Sequence, residues 1–118
     1  AERDAVRVIA ASHHPFVAGT CEETHRAWNG DEVADLLTES PAFVMALAGH
    51  FHPGGYRRFR GRHFVTLESM LETTAGRNAF AIVHVTPDAA PRKGFRFTGG
   101  QVEIHGCGTD VTSRGFAV

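Results

Sequence analysis

The stretch that most constrains this chain is Gly49-His50-Phe51-His52-Pro53-Gly54-Gly55, set directly behind the apolar run Phe43-Val44-Met45-Ala46-Leu47-Ala48. A short apolar run bounded by turn residues reads as a buried strand. The glycines behind it allow tight backbone turns that a Cβ would forbid. Two histidines separated by a single residue at the mouth of such a strand are well placed to hold metal. Neutral imidazole is the commonest protein metal ligand and suits zinc, iron, manganese and nickel alike. A second histidine step, Ser12-His13-His14-Pro15, follows another apolar run, Val6-Arg7-Val8-Ile9-Ala10-Ala11. A lone histidine is usually a surface or hydrogen-bonded residue. Two histidine steps, each at the end of a buried strand, point to the histidine side of a metal centre.

At 118 residues the chain has the size of one ordinary domain, and with no clear linker we expect one domain over 1–118. The net charge of −1 gives neither a basic field for nucleic acid nor an acidic tail for a basic partner. Cys21 and Cys107 form no Cys-x-x-Cys pair and read as ordinary thiols of an intracellular, cytoplasmic protein. No apolar run approaches a membrane span and no signal peptide is visible, so no membrane partner is expected. Residue 1 is Ala and a strand pattern begins within a few residues of it. The expectation is therefore a part of a larger protein.

Residues 5–11 read as a buried strand and 12–29 as a loop. Asn29 or Asp31 can cap a helix over roughly 31–39, where Val33, Ala34, Leu36 and Leu37 make an apolar stripe that Ser40-Pro41 ends. With the strand at 43–48, this is a β-loop-α-β parallel crossover, expected to be right-handed. Alternation on either side of Gly61 predicts a hairpin turned there. Residues 78–86 predict another strand, with Phe80, Ile82 and Val85 as its apolar positions. A further hairpin is expected around Gly99-Gly100, joining Phe95-Arg96-Phe97 to Val102-Glu103-Ile104. The coarse picture is α/β in front and an antiparallel β-meander behind.

Open α/β sheets bind ligands at the carboxyl ends of their strands, and His13 and His50 sit at two such ends. Neighbouring strands lie about 5 Å apart, so these side chains can reach one ion. His52 can hold a second, since paired ions stand roughly 3.5–4 Å apart. His14, adjacent to His13, faces elsewhere, toward substrate or solvent. His25 has no partner at a metal spacing, and His63, His84 and His105 read as structural strand residues. No Asp-x-His and no Gly-Asn-His-Glu is present, and three histidines cannot complete a dinuclear centre.

The two histidine steps resemble the last two motif blocks of the calcineurin-like metallophosphoesterases, a lone His followed by Gly-His-x-His. A closer likeness runs over about residues 6–106. Ala27-Trp28-Asn29, Gly49-His50-x-His52-x-Gly54-Gly55-Tyr56, His63-Phe64-Val65-Thr66-Leu67-Glu68, Leu71-Glu72-Thr73 and the strand from Asn78 are similar to the manganese-dependent ADP-ribose/CDP-alcohol diphosphatases. The resemblance implies an α/β (α+β) fold that is the C-terminal half of a four-layer α/β/β/α sandwich, and a partial phosphoesterase domain. It implies a hydrolase with two divalent metal ions, manganese first and iron or zinc as alternatives. His13 and His50 would hold one ion and His52 the other. The reaction implied is cleavage of phosphoanhydride or phosphodiester bonds in small nucleotide-diphosphate substrates such as ADP-ribose or CDP-alcohols, by a metal-activated hydroxide. No side chain of this chain is assigned as catalytic. His14, Trp28 and Tyr56 would bind substrate, with Phe51 beside them, and Arg57, Arg58, Arg60 and Arg62 would steer a diphosphate. Glu68 and Glu72 match the subgroup without an assignable role. The earlier motifs would come from a missing N-terminal half, and this chain alone would be inactive. The rival readings are a non-enzymatic metal-binding or interaction module lacking a complete active site, and an unrelated β-rich domain with a chance motif.

Overall fold

The computed structural model describes residues 7–71 and 79–86 together with strands at 101–107 and 114–117. Strand β1 (Val8–Ser12) leads through a loop with a 3-10 turn at Glu23–His25 into helix α1 (Gly30–Glu39) and then β2 (Phe43–Ala48). β3 (Gly55–Phe59) and β4 (Arg62–Thr66) follow, and these four strands form one sheet in the order β1-β2-β4-β3. β1, β2 and β4 run parallel, while β3 runs antiparallel to β4 as the edge. The expected parallel crossover and the hairpin at Gly61 are both present, but the strand expected to be buried over 5–11 is β1, a sheet edge on which Val8, Ile9 and Ala11 are exposed. A second, antiparallel sheet joins β5 (Phe80–Thr86), β6 (Gln101–Cys107) and β7 (Arg114–Ala117) in sequence order.

Asn29 precedes helix α1 at the cap position and makes no side-chain cap hydrogen bond. Asp31 and Glu32 in its first turn instead face the positive end of the helix dipole. The residue before Pro41 is disfavoured in helical conformation, and Ser40 is already extended. The predicted stripe is narrower in the fold. Ala34 is buried and Leu37 packs beside it against Val17, Phe43, Ala46 and Phe64, whereas Leu36 is 70% exposed.

β2 is buried on both faces, as a central parallel strand should be. The pairing with β1 slips between Val8 and Ile9, so Val44 is an extra residue between Phe43 and Met45. Phe43 and Ala46 then face the helix, while Val44 and Met45 join Val65 on the opposite side. On that side Ala81 and Val83 of β5 cover them. The layers therefore run helix, mixed sheet, second sheet.

One detail of the described meander differs from expectation. Phe80 and Ile82 are more than half exposed, and the smaller Ala81 and Val83 face the core. Alternation along a strand allows either set inward, and the space left over Met45 and Val65 takes the smaller side chains. Residues 95–97 lie outside the described residues. Val102–Ile104 is paired on both edges, by β5 and by β7.

Candidate metal centre

The ladder between β1 and β2 ends with Ser12 opposite Ala48. One rung beyond it, the Gly49 N–H donates to the His13 carbonyl at 3.0 Å. That rung carries His13 and His50 out of the sheet side by side, with His13 Nε2 3.1 Å from His50 Nδ1. The Ser12 hydroxyl donates to the His14 carbonyl at 2.8 Å, which tightens the turn. The His14 ring then lies 4.1 Å from that of His50 and 4.9 Å from that of His13. Ligand nitrogens of His13, His14 and His50 all lie within 4.8 Å of one another. His50 holds a positive φ of 63°, a conformation that side chains other than glycine rarely take. Loss of hydration, and then the imidazoles of His14, His13, His25 and His52, push the His50 pKa below the usual imidazole value. The ring thus favours its neutral, ligating form.

The cluster borders a cleft of about 700 Å³ at the carboxyl ends of β1, β2 and β4. His13, His50, His52 and Glu68 supply polar groups, and Leu47, Leu67, Met70 and Leu71 give an apolar wall. The hairpin return is fastened there, the Leu67 N–H donating to Ala48 O at 2.8 Å and the Ser69 N–H to His52 O at 3.0 Å.

Of the residues singled out in the sequence, His13 and His50 touch. His14 joins them, and His52 shares the cleft without being one of the three clustered donors. Trp28 is 95% exposed and lies outside the cleft lining. Tyr56 packs on Val44, Met45 and Val65, and its hydroxyl lies 2.9 Å from Nδ1 of buried His63. Arg57 donates to the Ala18 carbonyl at 2.8 Å, and Arg60 pairs with Asp35 at 2.8 Å at the far end of the sheet. The chain's one Gly-Asp step, Gly30-Asp31, opens α1, and its carboxylate is held by Arg26 at 2.6 Å. Two residues gain a place that spacing alone did not reveal. The His25 ring comes to 5.4 Å from that of His50, because the Ala27 N–H donating to Pro15 O folds the loop back. Glu68 sits at the end of β4, where the strand-end rule would have placed it.

Comparison with known proteins decides the kinship. The chain is 36% identical over 89 residues to the manganese-dependent ADP-ribose/CDP-alcohol diphosphatase of Mus musculus, and 33% identical over 88 residues to that of Bos taurus. The Danio rerio protein of the same name is 32% identical over 89 residues. This chain is similar to the manganese-dependent ADP-ribose/CDP-alcohol diphosphatases over about three quarters of its own length. The matches cover 74–75% of this chain but only 26–28% of those diphosphatases, so it spans about a quarter of their length. A crystal structure of a dimetal phosphatase from Danio rerio shares the fold, with a TM-score of 0.72 and 24% identity over 94% of this chain and 31% of that one. No protein-family model matches the chain.

The donor set can be weighed against the manganese named in those relatives. Among the described residues the assembled donors are three imidazoles, with Glu68 as the carboxylate of the cleft. Manganese favours oxygen ligands. The described residues therefore fit the histidine side of one ion and do not complete a two-ion manganese centre.

Proposed function

We propose that this chain is the histidine-bearing part of a metal-dependent phosphohydrolase acting on small nucleotide diphosphates such as ADP-ribose or CDP-alcohols. The observation that carries the reading is the 3.1 Å approach of His13 to His50 at the carboxyl ends of adjacent parallel strands, beside an open cleft. The relatives' names supply the substrate class. In the complete enzyme His13 and His50 hold one divalent ion and His52 contributes to a second, with manganese first and iron or zinc as alternatives. When bound, such ions polarise phosphoryl oxygens and lower the pKa of water.

This chain's residues position the site. The Gly49–His13 rung sets the spacing of the rings. Leu47, Leu67, Met70 and Leu71 give the cleft an apolar side. His14 and exposed Trp28 are the substrate contacts this reading keeps. Tyr56 acts through the packing of β3. The chain is a partial domain over 1–118 and works in the cytoplasm without membrane or nucleic-acid partners; no described helix is long and apolar enough to cross a membrane.

The test is hydrolysis of ADP-ribose and a CDP-alcohol, with manganese, by the longest natural protein that carries this chain. Turnover that falls at least about a hundredfold in His13→Ala and His50→Ala supports the reading. Undiminished turnover in both variants, or no turnover by the parent, overturns it. The 118-residue chain alone is expected to be inactive.

A further inference from the structure

We infer that this chain by itself holds one divalent ion of the zinc, nickel or copper class through His13, His14 and His50, and discriminates against manganese. The inference concerns the chain alone and does not require the phosphohydrolase reading.

Two donors about 2.0 Å from one ion at a tetrahedral angle stand about 3.3 Å apart. The His13 Nε2 to His50 Nδ1 distance of 3.1 Å is already that spacing. The third donor, from His14, lies within the 4.8 Å that encloses all three. His13 and His14 are exposed and His50 is half-buried, so modest side-chain rotations can close the triangle. The frame behind it is tied by backbone, through the Gly49–His13 rung and the Ser12 hydroxyl on the His14 carbonyl. A solvent-facing fourth position is left for water.

The composition of the set decides the ion. Three imidazoles, with no carboxylate among the clustered donors of the described residues, form a borderline nitrogen site. Along the first-row divalent series such sites hold nickel, copper and zinc far more tightly than manganese. His25 stands behind His50, with its Nδ1 3.2 Å from the Thr24 hydroxyl, and is not among the clustered donors. His52 lines the cleft without joining the cluster.

The experiment uses the tag-free 118-residue chain stripped with a chelator. It is titrated with cobalt(II) followed by absorption, and with zinc and manganese by calorimetry. The expected result is one equivalent of zinc, which displaces cobalt, and manganese binding weaker by roughly two orders of magnitude. His14→Ala should weaken zinc at least about tenfold. Histidine-labelled NMR of the unsubstituted chain gives the same answer without variants: the His13, His14 and His50 rings should shift on adding zinc and the His52 ring should not. Zinc affinity insensitive to His14→Ala, a His52 ring that shifts in place of His14, or manganese bound as tightly as zinc would each overturn the inference.

Discussion

A Cβ placed on Gly55 would stand 2.2 Å from the Thr20 carbonyl oxygen and 2.6 Å from its carbon. The neighbour is backbone, so no rotamer change relieves the clash. This contact seats the start of β3 on the loop that follows the first histidine step, and so helps hold the two histidine segments together. Gly55→Ala should lower stability by about 2–3 kcal/mol. Urea denaturation is the check, and an unchanged midpoint would mean that the loop can give way freely.

Arg26 ties three segments at once. It pairs with Glu23 of the 3-10 turn and with Asp31 of α1, and donates to the Phe16 carbonyl at 3.2 Å. Its side chain is 14% exposed while both carboxylates are largely exposed, so solvent weakens each pair. Arg26→Met keeps the stem and removes the head group, with an expected loss of about 1–2 kcal/mol. The His25–His50 approach should loosen with it, read as a change in the His25 ring resonances by NMR. Retention of both stability and resonances would show the loop to be held by its backbone alone.

How much of this was legible in the sequence depends on whether the deciding partner is near in the chain. The strand at 43–48 and the helix were readable because the apolar run, the acidic first turn and Ser40-Pro41 are local signals. The inward face of β5 was not. Phe80 and Ile82 share the period of Ala81 and Val83 and are larger, and only the space over Met45 and Val65 selects the smaller pair. At the site, His13 and His50 followed from the strand-end rule. His14 reaches His50 through the Ser12 turn, and His25 reaches it through a long loop whose return, Ala27 onto Pro15, has no sequence signature.

Thr66 presents a different kind of test. It is fully buried at the end of β4, and its hydroxyl has no hydrogen-bond partner among the described residues. The adjoining void is about 10 Å³ and is walled largely by Pro15, Phe16, Ala46, Phe64 and Val65. An unsatisfied buried hydroxyl is destabilising, and an apolar group of the same shape removes that penalty. Thr66→Val should therefore raise stability by about 1 kcal/mol, seen as a higher urea midpoint. A lower midpoint would reveal a partner for the hydroxyl, such as a water in that void.

The left-handed backbone at His50 makes the last prediction. A non-glycine residue in that region carries a strain of roughly 1–2 kcal/mol, and at His50, with φ at 63°, the same twist turns the ring onto His13. Strain held at a ligand position is removed when the side chain is. In the metal-free chain His50→Gly should match or exceed the parent in stability, since relief of strain offsets the extra freedom glycine brings to the unfolded state. His50→Val, branched at Cβ, should fall below His50→Gly by at least about 1 kcal/mol. Both variants lose the same ligand and should lose zinc binding alike, so the difference between them isolates the backbone. Equal midpoints for glycine and valine would mean that residue 50 relaxes out of the left-handed region in solution, and that the ring reaches His13 without stored strain.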